Sequence, residues 1–288
     1  MTLQGQRKLR RSLRRIPWYL VWIVVTVVTL FPLYWLIIVS SRSRIELFTE
    51  KSLIQTTFYE ENFVRPLLND IYGQYLLNSV FIALGNTVLV TVVALLGVYA
   101  LSRYRLRGAD SIFFWTITNR MAPPAAFMLP LFLIYTKIFA FPDGWSLYDT
   151  HIGLILAYCV FNLPFAMWLL KGIVDNIPTD IDDAARVDGM TTLGIVFRII
   201  MPLAGPAIAT VALLSWLFSW NEFLFAATLS SVRARTITTG LAEFVTITGT
   251  NWGEMAAMAV VAILPAVFFL GLVQKYLVAG MTFGAVRE

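Results

Sequence analysis

The sequence predicts an all-α integral membrane protein with six transmembrane helices in one domain. Three observations predict it. Of 288 residues, 58% are hydrophobic and only 14% charged, whereas about a quarter of a soluble domain is charged. The apolar residues collect in long uncharged stretches, as membrane spans do. Lys and Arg collect at one side of a six-span arrangement. The inner segments hold fourteen and the outer loops seven, with Arg120 left inside a span, in line with the positive-inside rule.

Residues 1–17 form a basic arm with Arg7, Lys8, Arg10, Arg11, Arg14 and Arg15. The arm lies against a span, which argues against nucleic acid. The first span, 18–41, is uncharged and as a helix reaches about 35 Å, enough to cross a bilayer. A secretory signal has an apolar core of about 7–15 residues. The longer run here reads as a retained signal anchor with a cytoplasmic start. Residues 42–75 are polar and read as an external loop with some short helix. The second span, 76–101, is stopped on the inner side by Arg103, Arg105 and Arg107. The third, 111–139, contains Asn119, Arg120, Pro123, Pro124 and Pro130, so it is not a straight helix. A short turn with Pro142, Asp143 and Gly144 leads to the fourth span, 151–170, whose inner end is marked by Lys171. The fifth span is 207–229, the next external loop 233–251, and the sixth span 253–278. Within one membrane domain, 18–278, the inner loop is 172–206. The tail, 279–288, ends inside, so both termini are expected in the cytoplasm.

Catalytic chemistry is not expected. The single cysteine, Cys159, excludes a disulfide framework and a cysteine metal site and reads as a core thiol. The single histidine, His151, stands at a helix end and reads as an interfacial residue. There is no Gly-rich phosphate loop of the Walker type and no cluster of metal ligands. The chain is therefore expected to be no enzyme and to bind no ATP, cofactor or metal itself.

The polar loop between spans four and five is the informative stretch. Pro178 suits a first helical turn. Ile181, Ala184 and Ala185 stand at i, i+3 and i+4 and are expected on one face. Asp188-Gly189 is a stop-and-turn signal, with Gly189 where a left-handed cap sits. Thr191 or Thr192 caps a second helix bearing Ile195, Val196, Ile199 and Ile200, and Pro202 and Pro206 separate it from the next apolar run. The expectation is a small helix-turn-helix outside the membrane.

These residues resemble the EAA loop of the membrane subunits of ABC importers: Glu-Ala-Ala, three residues, Gly, nine residues, Ile, any residue, Leu-Pro. Asp183, Ala184, Ala185, Gly189, Ile199 and Pro202 stand at every required spacing, with Asp183 in place of Glu and Met201 in place of Leu. The resemblance implies a type I ABC importer transmembrane domain whose cytoplasmic coupling helix docks in a cleft of an ATP-hydrolysing subunit. It implies ATPase coupling by Asp183, Ala184, Ala185, Asp188, Gly189 and Pro202. A second resemblance lies at the end of the chain. Gln274-Lys275-Tyr276-Leu277-Val278 followed by Gly280, Thr282, Gly284, Ala285 and Val286 is similar to the C-terminus of the smaller permease subunit of carbohydrate importers of the maltose type. There the tail reaches into the ATPase dimer interface, which implies a flexible coupling tail carried by Gly280, Thr282 and Gly284. The phrases Tyr99-Ala100-Leu101-Ser102-Arg103-Tyr104 and Trp220-Asn221-Glu222-Phe223 also resemble this family. Implied partners are a second homologous permease, an ATPase dimer holding ATP and Mg, an external solute-binding protein and a carbohydrate, in the bacterial cytoplasmic membrane.

An ionisable group within lipid is costly and faces a cavity or a partner. Arg120 and Glu222 are such groups. Trp216 and Trp220 lie beside Glu222, and indole faces suit sugar rings; Asn119, Asn162 and Asn221 supply hydrogen-bonding groups. Two readings stay open: a polar pathway lined by spans three to five, or a structural pairing of Arg120 with Glu222 or a second subunit. The rival functions are a permease of the same class for an amino acid or phosphate, and a secondary transporter or channel driven by ion gradients.

Overall fold

The computed structural model describes residues 16–49, 52–54, 57–69, 71–104, 106–139, 146–247 and 249–283. The basic cluster of the N-terminal arm and Gly284 lie outside the described residues. The chain divides into two packing units, one of residues 1–70 with 244–261, the other of 71–243 with 262–288.

In the first unit, helix α1 (Ile16–Ser40) exposes nearly all of its apolar side chains, Trp18 and Trp22 at 68% and 65%. Such a surface is stable only in an apolar medium. The expected loop follows with two short helices, Arg44–Thr49 and Glu61–Val64. Asn62 is buried, and its amide donates to the carbonyls of Ser40 and Arg42 at 2.9 and 2.8 Å. A two-residue hairpin pairs β1 (Val245–Thr246) with β2 (Gly249–Thr250). Gly253 follows against Asn62, where an added Cβ would stand 2.7 Å from the Asn62 nitrogen. Only glycine permits that approach.

The second unit is built on helices α2 (Tyr72–Arg103), α5 (His151–Val174) and α8 (Gly205–Trp220), which pack on one another. Buried Ala83, Ala94, Ala157 and Ala166 line this core, and small residues let helix backbones approach closely. Within this core Asn86, Asn162 and Ser219 satisfy one another. The Asn162 amide donates to Asn86 Oδ1 at 2.8 Å and to Ser219 Oγ at 3.0 Å, and Asn86 donates to the Ile155 carbonyl at 2.8 Å. The network ties all three helices together.

Four helical segments are long and apolar enough to cross a membrane unbroken: Pro17–Ser40, Tyr72–Arg103, His151–Val174 and Trp252–Gln274. Two more pass only as bent pairs. Helices α3 (Ala109–Met121) and α4 (Ala125–Ile138) are bent by 104° at Ala122-Pro123-Pro124, as the prolines require. Helices α7 (Thr192–Leu203) and α8 are bent by 86° at Ala204. The expected single span 207–229 is corrected. Helix α8 stops at Trp220, and a turn at Asn221–Phe223 precedes the six-residue α9 (Leu224–Leu229). Glu222, in the turn just before the N-cap residue Phe223, accepts the Phe225 N–H at 2.8 Å and so satisfies one free donor at the start of α9. After the short α10 (Ile237–Glu243), helix α11 (Trp252–Phe283) runs beyond the expected end at 278. Gly280 and Thr282 therefore continue a helix, where a flexible tail was expected.

The far end of the second unit is closed by a clasp. His151 Nε2 bonds Asn78 Oδ1 at 2.8 Å, and the Asn78 amide donates to the carbonyls of Arg233 and Arg235, both at 2.9 Å. Asp149, at φ +55°, accepts the backbone N–H groups of Ser231, Val232, Arg233 and Ala234 at 2.8 to 3.1 Å. Aspartate tolerates that left-handed backbone better than most residues. Partial burial pushes the Asp149 carboxyl up, but the four N–H groups outweigh it and hold its pKa below the usual range.

Replacing Asp149 by Ala is expected to cost about 1–3 kcal/mol, read as a lower melting temperature in detergent. Because the folded pKa is depressed, this stabilisation is present above the unfolded carboxylate value of about 3.9 and is lost as pH falls through the folded value. The gap between wild type and variant should hold from neutral pH to about pH 4 and close below it. Equal melting at pH 7 would refute the clasp.

Candidate functional site

The 172–206 loop folds as a helix, a sharp turn and a second helix. Helix α6 (Asp180–Val187) begins two residues after Pro178 and carries three aspartates in its first turn, where negative charge is favoured by the helix dipole. Asp182 faces inward and is 1% exposed. Arg103 Nε, at the end of α2, donates to Asp182 Oδ2 at 2.7 Å, with both side chains under 5% exposed. Tyr99 Oη donates to Asp182 Oδ1 at 3.0 Å, and Arg103 Nη2 to the Ile177 carbonyl at 2.9 Å. Sequence reasoning passed over Asp182. The available signal was an arginine closing a span opposite a helix rich in aspartate.

Ala185 is buried on the same side and packs into the core with Val98, Tyr99, Val174 and Ile195. The expectation that Ala184 shares this face is corrected: Ala184 is exposed, because the Arg103–Asp182 pair sets the rotation of α6. Asp183 also points out, its side chain 68% exposed, and pairs with Arg186 of its own helix at 3.0 Å. Asp183, Ala184, Val187, Asp188 and Gly189 thus form one exposed edge, with Val187 at 89%.

Gly189 has φ +79°. Its N–H bonds the Arg186 carbonyl, and the Met190 N–H bonds the Ala185 carbonyl, both at 3.0 Å. This is a Schellman stop, with glycine in the left-handed position. Thr191 then caps α7 by accepting the Gly194 N–H at 3.2 Å. Ile195, Val196 and Ile200 of α7 are fully buried, and Ile199 packs beside them. Pro202 lacks an N–H for the helix ladder, and a π turn at Val196–Ile200 lies just before it. Loop and membrane core are one packed body along this side.

The polar residues of the spans separate into three groups. Arg120, Asn162 and Glu222 line one cavity of about 300 Å³ with Pro124, Tyr158, Phe161, Phe218 and Phe225. Arg120 and Glu222 form no ion pair with each other, so of the structural reading only a pairing of Arg120 with a second subunit stays open. Arg120 Nη1 donates to the Phe161 carbonyl at 2.7 Å, and the guanidinium lies over the rings of Phe165 and Phe218 at 4.7 and 4.9 Å. Trp216 and Trp220 are buried, at 2% and 6%. Their rings stack on each other at 5.0 Å, and Trp216 stacks on Phe269 at 4.5 Å. The indole faces expected to meet a sugar are thereby spent inside the core. Asn119 sits half-buried in a 3-10 turn, and the exposed Asn221 bonds the Leu217 carbonyl of its own helix at 2.8 Å. Neither lines the cavity.

Removing Arg103 leaves Asp182 buried without its cation, a change that typically costs about 3–5 kcal/mol. Arg103→Ala should lower the melting temperature and open the 172–206 loop to proteolysis. The double variant Arg103→Leu/Asp182→Leu should recover part of both. Unchanged proteolysis in Arg103→Ala would remove the pair as the anchor of α6.

Comparison with known proteins identifies the family. Residues 93–283 match the family described as binding-protein-dependent transport system inner membrane component. The trehalose/maltose transport system permease protein MalG of Thermococcus litoralis is 32% identical over 92% of this chain and 94% of the relative. The trehalose transport system permease protein SugB of Mycobacterium tuberculosis is 32% identical over 90% and 92%. The inner membrane ABC transporter permease protein YcjP of Escherichia coli is 31% identical over 96% and 98%. Among solved structures, a bacterial ABC transporter involved in import of the polysaccharide alginate superposes with a TM-score of 0.75 over 91% of this chain and 96% of the other, at 22% identity, and shares the fold. The family match over more than half of the chain, and relatives aligned nearly end to end, make this a permease subunit of an ABC importer, a member of the binding-protein-dependent transport system inner membrane components.

Proposed function

We propose that this chain forms half of the membrane pathway of an ATP-driven importer for a sugar or sugar derivative. Its relatives are named for trehalose, maltose and arabinooligosaccharides. The pathway is completed by a second, homologous permease. A pair of ATPase subunits on the cytoplasmic side carries ATP and Mg, and a solute-binding protein delivers the sugar outside. The basic arm and the excess of inner Lys and Arg support cytoplasmic termini.

The observation that carries the reading is the exposed edge of α6 on a loop packed rigidly into the helical core. Asp183, Ala184, Asp188 and Gly189 present a small, flat surface to an ATPase cleft. Ala185 and Pro202 act from behind it, Ala185 by seating α6 on the core and Pro202 by interrupting the hydrogen-bond ladder near the end of α7. Closure of the ATPase pair draws the two permease loops together. Through Arg103–Asp182 and the buried face of α7 that movement reaches α2, α5 and α8 and turns the pathway from inward-open to outward-open. Gly280, Thr282 and Gly284 carry a second contact, from the end of α11 toward the ATPase interface.

The first test is co-purification from the native host in mild detergent. A second permease and two copies of an ATPase are expected in stoichiometric amounts; a chain recovered alone would overturn the reading. Gly189→Val forces a β-branched residue into positive φ, a strained backbone for such a side chain, and should cost at least tenfold in co-purified ATPase and in uptake. Intact docking and transport in Gly189→Val would contradict the coupling role of the turn. Deleting Gly284 to Glu288 should reduce transport-coupled ATP hydrolysis more than assembly, and unchanged coupling would remove the tail from the mechanism.

A further inference from the structure

The cavity of about 300 Å³ behind the α3–α4 bend holds three polar groups that the core does not use up. Tyr158 is 2% exposed, lines the cavity, and its hydroxyl has no hydrogen-bond partner among the described residues. A buried tyrosine hydroxyl is normally bonded. Arg120 is held by the Phe161 carbonyl and by the rings of Phe165 and Phe218. That clamp fixes the plane of its guanidinium, which has five N–H donors, while no carboxylate among the described residues neutralises it. Glu222 receives the Phe225 N–H, and the backbone N–H groups of Leu224 and Phe223 also bond to it; a carboxylate offers about four lone-pair sites, so one acceptor position is left.

One fixed cation, one carboxylate and one unpartnered hydroxyl therefore share a volume equal to about ten water molecules. The two charges do not touch. A molecule that fits between them accepts from Arg120 and donates to Glu222, with a third polar group for Tyr158. An anion is opposed by Glu222 and a cation by Arg120, so the balance favours a neutral molecule with several hydroxyls. Phe161, Phe218 and Phe225 supply apolar walls suited to the C–H groups of a sugar ring. We propose that this cavity is a subsite within this subunit for one ring of a neutral saccharide, bonded by Tyr158, Arg120 and Glu222. The proposal rests on the importer reading and adds to it a site, a charge preference and a residue, Tyr158.

The test uses the complete importer, assembled with its partners and reconstituted in proteoliposomes, and first measures uptake of trehalose, maltose and arabinotriose. For the sugar transported, equilibrium binding to the complex without binding protein is then compared in wild type, Tyr158→Phe and Glu222→Gln, with glucuronate as an anionic competitor. Tyr158→Phe should weaken binding about three- to tenfold without lowering the melting temperature, because it removes a hydroxyl that has no partner among the described residues. Glu222→Gln should weaken binding further, and should let glucuronate compete where it does not in wild type. A structural role alone would not produce that change of selectivity. Uptake with binding and glucuronate competition unchanged in both variants would overturn the subsite and leave the importer reading standing. Uptake of none of the three sugars would overturn the carbohydrate reading and the subsite with it.

Discussion

Two opposite charges buried at 2.7 Å, Arg103 on Asp182, decide how the soluble part of this permease meets the membrane part. Taking either charge out of water alone is prohibitive. Together, with Tyr99 and the Ile177 carbonyl filling the remaining positions, they fix α6 against the end of α2 in one rotation. The rest of the loop follows from that rotation. Ala185 faces the core, Ala184 and Val187 face out, and Gly189 turns the chain so that α7 buries Ile195, Val196 and Ile200. On the proposed reading, a push on α6 reaches α2 through Arg103–Asp182 and the core through Ala185.

Within the membrane the driving force differs. Lipid is as apolar as leucine, so helices there are joined by close packing and hydrogen bonds. The unit of α2, α5 and α8 uses both: buried alanines, and the Asn86–Asn162–Ser219 network, in which one amide reaches two helices. Trp216 and Trp220, one turn apart on α8, add a stacked pair and meet Phe269 of α11. The elements interrupted by Ala122–Pro124 and by Asn221–Phe223 lie around the cavity instead. In this unit α2, α5 and α8 form the core, and the breaks beside α5 and after α8 bring Arg120 and Glu222 to the cavity.

Much of this was legible because spacing carries it. Glycine at a left-handed stop, threonine at a cap and paired prolines in a span each have one dominant structural consequence, and Gly189, Thr191 and Pro123-Pro124 behave accordingly. What was not legible depends on rotation and partners. Neighbouring residues on a helix differ by about 100°, so choosing Asp182 over Asp183 as the inward acid required knowing where Arg103 stands. Trp216 and Trp220 are four apart, a spacing that brings rings together on one face, yet the same spacing also serves an open platform; Phe269 decides between them. Glycine in a helix costs only about 1 kcal/mol, and Gly280 did not end α11 where the composition suggested a tail.

The exchange of Glu for Asp at position 183 can now be weighed physically. Asp183 is exposed, one methylene shorter than Glu, and already engaged by Arg186 three residues on. An exposed pair of this kind contributes little, about 0–1 kcal/mol, so it neither anchors α6 nor offers a strong free charge to a partner. The buried Asp182 does the anchoring. What the edge does offer is Val187, 89% exposed on a loop outside the apolar spans, beside alanine and glycine. Full burial of a valine is worth about 1.5–3 kcal/mol, more than a surface ion pair. On the proposed reading, α6 therefore docks by shape and by burying Val187. The acid at 183 then serves the helix N-terminus and its own Arg186, roles in which aspartate replaces glutamate at little cost.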